Sequence, residues 1–63
     1  MSVSKIKIRR IEKGIKQWEL ASKIKVSESL LSKIETGRRQ PSPRIVRKIA
    51  LALGVSLSEL VGG

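Results

Sequence analysis

The sequence predicts a compact all-α fold of five short helices, and three observations predict it. Apolar residues recur at three- and four-residue spacing, as Leu20, Ala21 and Ile24, then Leu30, Leu31 and Ile34, then Ile45, Val46, Ile49, Ala50 and Leu53. Serines stand before these runs at Ser27 and Ser42, and glycines follow the helical segments at Gly14, Gly37 and Gly54, the residues that cap and stop helices. The one alternating stretch, Ser4 to Arg9, would suit a strand on its own, but Ile8, Ile11 and Ile15 continue it at helical spacing. Residues 1–63 are therefore expected to make one domain, whose 40% hydrophobic content limits it to a small core.

Composition narrows the chemistry. The chain has no Cys and no His, and its five acids are all Glu, so disulfide staples, the usual zinc sites and most catalytic constellations are excluded. No enzyme activity, cofactor or metal is expected. No apolar run reaches the roughly 18 residues needed to span a bilayer, and the first residues lack the apolar core of a secretion signal. A cytoplasmic location follows as the expectation. Fourteen Lys and Arg give a net charge of +9, which calls for a polyanionic partner. RNA and single-strand readers stack bases on aromatic platforms, and one Trp with no Phe or Tyr cannot supply them. A membrane surface fits poorly as well, because Gly stops and Pro41 and Pro43 divide the chain into short segments, none with a broad apolar face beside a basic one. Double-stranded DNA remains as the favoured partner.

The first helix is expected from about Val3 or Lys5 to Lys13, with Ser2 or Ser4 as its cap and Gly14 as its stop. Gly14-Ile15-Lys16 turns the chain into a second helix, Gln17 to Ile24. Only Lys25-Val26-Ser27 separates it from a third, Glu28 to Thr36. So short a break sends the third helix off at a steep angle, the helix-turn-helix arrangement that frees it to enter a DNA groove. On a wheel of about 100° per residue, Leu30, Leu31 and Ile34 share one side of that helix. Glu28, Ser29, Ser32, Lys33 and Thr36 fall on the other. Arg38-Arg39-Gln40-Pro41 is a basic surface loop. Ser42 and Pro43 then open a fourth helix that Gly54 ends. Ser56 and Glu59 have capping-box spacing and open a short last helix through Leu60 or Val61, ahead of a fraying Gly62-Gly63.

These residues resemble the lambdoid-phage repressor and Cro type of helix-turn-helix domain, also called xenobiotic-response-element-like, over nearly the whole chain. The resemblance rests on Ile11 with Gly14-Ile15, on Gln17-x-Glu19-Leu20-Ala21, and on Val26-Ser27 through Ile34-Glu35-x-Gly37. Pro41-Ser42 and Ile49-Ala50-x-Ala52-Leu53-Gly54-Val55-Ser56 complete it. It implies DNA binding as a dimer on a near-palindromic operator, and transcriptional regulation without catalysis. By position, Gln17 is similar to a family glutamine that binds a phosphate and braces the first recognition residue. Glu28, Ser29 and Lys33 stand where family members read bases, with Ser32 beside them. Arg10 and Glu35 match a pair that forms an internal salt bridge. Lys25 departs from the usual turn glycine, and Thr36 from the asparagine that precedes Gly37 at a phosphate-contacting position.

Beside the resemblance, Arg38, Arg39 and Arg44 flank the third helix and are phosphate candidates. Trp18 is expected to cover the core more than to pack along a DNA strand. Leu57, Leu60 and Val61 are apolar groups beyond what the small core needs, and are expected to touch a partner subunit in a weak homodimer formed on DNA. Other uses of the same fold are the DNA-binding part of an antitoxin, a restriction-modification controller, or a protein-binding bridge.

Overall fold

The computed structural model describes residues 4–60, and its helices begin and end on local capping chemistry. Helix α1 is Lys5–Glu12, α2 is Gln17–Ile24, α3 is Glu28–Glu35 and α4 is Pro43–Leu53. Ser4, Ser27 and Ser42 each accept a bond on the hydroxyl from the backbone N–H three residues on, at 3.1, 3.0 and 3.2 Å. No serine precedes α2; there the Glu19 carboxylate reaches back to accept from Lys16 N–H at 2.9 Å. The helical reading of Ser4 to Arg9 holds, with Ser4 as the cap, while Val3, Ser2 and Gly62-Gly63 lie outside the described residues.

All four helices close in the same way. Ile15, Val26, Arg38 and Val55 N–H groups return to the carbonyls of Arg10, Ala21, Lys33 and Ala50, five residues back. This closure needs a left-handed residue near each helix end, and Gly14, Gly37 and Gly54 supply it three times. The fourth is Lys25, at φ 60° and ψ 45°. A left-handed L-residue with a Cβ costs roughly 1 kcal/mol or more where glycine would cost little.

Leu20 of α2, Leu31 of α3 and Ile49 of α4 are wholly buried and mark the centre of the core. Helix α2 packs against both α3 and α4, and α1 closes the bundle over α3 and α4. The expected inner stripe of α4 is in place, with Ile45 only half-buried. No helix among the described residues is long and apolar enough to cross a membrane.

Three expectations are corrected. In α1, Ile8 and Ile11 point outward, Ile11 being 57% exposed, while Ile6 and Arg10 turn inward. Residues four apart lie within about 40° on a helix, so once Arg10 faces the core Ile6 does too, and Ile8, about 200° from Ile6, cannot. The fifth helix is a single 3-10 turn, Leu57–Glu59, held by bonds from Glu59 N–H to Ser56 O and from Leu60 N–H to Leu57 O. Leu60 is the third correction: it is 7% exposed and belongs to the core of its own chain, which leaves little of its surface for the expected dimer contact. Leu57 remains exposed, and Val61 lies outside the described residues.

Ser56 N–H donates to the Glu59 carboxylate at 2.8 Å. That bond holds the carboxyl below its ordinary value of 4.5, with smaller help from the Ser56 hydroxyl and the charges of Arg9 and Lys13. A lowered folded-state value means the unfolded chain binds the extra proton first. The turn therefore has its full carboxylate stabilisation above about pH 4.5 and loses it as pH falls through the lower folded-state value. Amide exchange across residues 56–60 should accelerate in that acid range, and Glu59→Gln should show fast exchange already at neutral pH with no such step.

Candidate nucleic-acid interface

The surface that faces outward on α3 is built from the inside. On the wheel, Leu30, Leu31, Ile34 and Glu35 occupy one arc and Glu28, Ser29, Ser32 and Lys33 the next, over about 140°. Leu31, Ile34 and Glu35 are buried, Ser32 is half-buried between Glu28 and Ser29, and Glu28, Ser29 and Lys33 are exposed. The four expected base readers thus share one side of α3. Ser27 caps the helix and leaves its first turn intact up to Glu28.

Glu35 lies at the edge of that side, and its charge is taken out of it. Arg10 Nε donates to Glu35 Oε2 at 2.7 Å and Arg10 Nη2 to Glu35 Oε1 at 3.1 Å, a bidentate pair in which Glu35 is 2% exposed. Arg10 Nη1 donates to the Ile15 carbonyl at 2.8 Å, and Gln17 Nε2 donates to Glu35 Oε1 at 3.1 Å. The expected Arg10–Glu35 pair is therefore present. The same network corrects the bracing role given to Gln17, whose amide holds Glu35 in the last turn of α3, 18 residues away, and not Glu28 in the first. One Gln17 amide hydrogen and its carbonyl are still free to meet a phosphate beside the open N–H groups at the start of α2.

The remaining acids sharpen the picture. Glu12 pairs with Arg9, Glu19 binds Lys16 N–H, and Glu59 binds Ser56 N–H. Among the described residues, Glu28 is the acid with no hydrogen-bonded partner of its own, and it stands exposed on the outer side of α3. A carboxylate kept free there can accept from a cytosine amino group in the major groove.

Around α3 the surface is basic. Arg38, Arg39 and Arg44 are all exposed, in the loop and first turn that follow. Thr36 caps the end of α3, which stops at Glu35 and not Thr36; its hydroxyl donates to Ser32 O and Lys33 O at 3.0 and 3.3 Å. The oxygen can still accept, but the proton is no longer free for a phosphate. Trp18 is 58% exposed beside Gln17, so its expected role as core cover is corrected. The core beneath it is already filled by Leu20, Ala21 and Ile24.

Two basic residues escaped the sequence reading. Arg47 and Lys48 are exposed on α4, three and four residues after Arg44, and Leu51 completes the same outward stripe. Their three- and four-residue spacing from Arg44 is the signal for them in the sequence.

A model of the helix-turn-helix family matches residues 6–60. The chain belongs to this family. It is 40% identical over 55 residues to the ImmF control region 10 kDa protein of Bacillus phage phi105, which covers 87% of the chain and 61% of that protein. It is also 40% identical over 58 residues to the immunity repressor protein of the same phage, covering 92% of the chain and 40% of the repressor. The helix-turn-helix chain thus spans less than two thirds of the length of either phage protein. Among solved structures, the N-terminal DNA binding domain of SinR from Bacillus subtilis matches with a TM-score of 0.82 at 39% identity, covering 92% of this chain and 86% of that one. Within that family the chain has the phage-repressor-like helix-turn-helix fold.

Breaking one side of the buried pair should be severe. Arg10→Met or Glu35→Leu alone leaves the remaining partner's charge buried without its counter-ion and should cost about 3–5 kcal/mol. The double variant should lose clearly less than the sum of the singles, because neither charge is then stranded. Urea denaturation of all four proteins measures this, and additive losses would mean that the pair is not coupled.

Proposed function

We propose that the chain is a sequence-specific transcriptional regulator of repressor or Cro type, which reads a near-palindromic operator by laying α3 in the major groove. The observation that carries this reading is the outer side of α3, where Glu28, Ser29 and Lys33 are exposed while Glu35 is neutralised beneath it. In this reading Lys33 donates to guanine O6 or N7, Glu28 accepts from cytosine N4, and Ser29 and Ser32 permit close approach. Gln17, Arg38, Arg39 and Arg44 hold phosphates and set the register, and Thr36 offers only its oxygen. The regulator works in the cytoplasm, wherever its DNA is.

Two chains occupy one operator. Leu57, exposed on the 3-10 turn, supports a small apolar contact between subunits, and with Leu60 withdrawn into the core that contact is weak. The dimer therefore forms on DNA, over half-sites about one helical turn, roughly 34 Å, apart. Sedimentation with a two-half-site duplex should give two chains per duplex and mostly monomers without it; one chain at saturation would count against the arrangement.

Readers and holders should separate by mutation. Lys33→Ala should weaken a selected operator by about 1–3 kcal/mol more than it weakens random duplex, with a smaller effect for Ser29→Ala. Arg38→Ala and Arg39→Ala should weaken both DNAs alike and each reduce the salt slope by about one. With about 6–10 phosphates neutralised by a dimer, that log–log slope should lie near −5 to −9. Glu28→Ala should raise affinity for random DNA while relaxing preference at one base pair. Unchanged ranking of operator variants by both Lys33→Ala and Glu28→Ala, in folded proteins, would overturn the assignment of α3.

A further inference from the structure

Lys25, the exception among the helix ends, stands on the rim of a groove that the reading side of α3 does not include. The groove, about 480 Å³, runs between the ends of α2 and α4 and is lined by Lys23, Ile24, Lys25, Lys48, Leu51 and Ala52. Its apolar part is Ile24, Ala52 and Leu51, the last 84% exposed at its edge. Its charged part is three lysines with no carboxylate among them. Exposed leucines are ordinary singly, but this one sits in a concavity and in line with Arg44, Arg47 and Lys48 on the outward stripe of α4. Lys25 keeps a left-handed backbone that glycine would adopt freely, and a disfavoured conformation held in place points to a task for the side chain it carries.

We propose that this groove docks an acidic amphipathic segment of a partner protein, with an apolar side chain against Leu51, Ala52 and Ile24 and carboxylates over Lys23, Lys25 and Lys48. Charge complementarity selects this occupant. A second copy of the chain brings another +9: its exposed Ile8 and Ile11 lie among Lys5, Lys7, Arg9 and Lys13, and its exposed Trp18 and Leu57 each have one neighbouring Glu already bonded to a backbone N–H, so self-docking offers no row of carboxylates to three lysines. A DNA phosphate would satisfy the lysines but leave Leu51 in water, whereas an amphipathic helix satisfies both parts of the groove. None of the six residues is in α3 or in the loop at 38–40, so this inference stands whether or not the operator reading does.

The probe is a fluorescein-labelled synthetic helix with leucines four residues apart flanked by glutamates, its binding followed by anisotropy against a control peptide with every Glu replaced by Gln. The acidic peptide should bind, and the Gln control should bind about tenfold more weakly or worse. Lys48→Glu and Leu51→Ser should each weaken the acidic peptide by roughly the same factor. Lys25→Gly should raise the melting temperature while weakening the peptide severalfold, a combination that a merely structural lysine cannot give. Equal binding of the two peptides, or affinity indifferent to Lys48→Glu and Leu51→Ser, would overturn the proposal. So would a loss of affinity for random duplex DNA as large as the loss for peptide, which would make the groove a phosphate surface. Self-association abolished by Leu51→Ser would also overturn it, in favour of a second copy.

Discussion

The buried pair of Arg10 and Glu35 is the constraint on which the rest of the arrangement depends. It joins α1 to the last turn of α3, and through Ile15 O and Gln17 it also fixes the turn into α2 and the start of that helix. A charge placed in a core this small has to be met from every side, since an unpaired one would cost more than the core can supply. Each partner bond is therefore also a restraint on an element. The pair orients α3 relative to the start of α2, and those are the two elements a DNA duplex would meet. The rigidity that groove reading requires comes here from hydrogen bonds of fixed direction, which apolar packing, being non-directional, does not impose.

The same pair shapes the electrostatics. With five acids against fourteen bases, four of the acids are engaged within the chain, Glu12 and Glu35 by arginine side chains and Glu19 and Glu59 by backbone N–H groups. Glu35 in particular would face the phosphates from the edge of the reading side if Arg10 did not cancel it. What reaches solvent around α3 is a positive rim with one free carboxylate, Glu28, in it. In the proposed reading, such a field would draw duplex DNA in without regard to sequence, and the single acid would lower that general attraction except where a specific base meets it.

Strain is distributed unevenly across the helix ends. Three close on glycine with no conformational penalty, while the end between α2 and α3 closes on Lys25. That end sets the angle at which α3 leaves the body, a place that suits the most permissive residue. It carries a lysine instead, one that lines the same groove as the exposed Leu51 of α4.

The starts of α2, α3 and α4 and the polar side of α3 were determined by the sequence alone, because both rest on local chemistry, whereas α1 and α3 each end one residue before the expected Lys13 and Thr36. A serine cap acts on an N–H three residues away, a glycine stop acts at its own φ, and a wheel needs only the order of residues within one helix. Gln17–Ile24 and the start of α3 and α4 could be read this way, and so could the inner stripe of α4. The Arg10–Glu35 pair was legible only through family resemblance, since its members are 25 residues apart. Tertiary structure alone decided that Ile8 and Ile11 face water while Arg10 faces in, that Gln17 serves Glu35, that Leu60 turns into the core and that Trp18 does not. In each case periodicity sorts residues by polarity, whereas burial is settled by what waits on the other side: a guanidinium is buried when a carboxylate and a carbonyl meet it there, and an isoleucine is left outside when the helix that bears it has already been oriented by that charge.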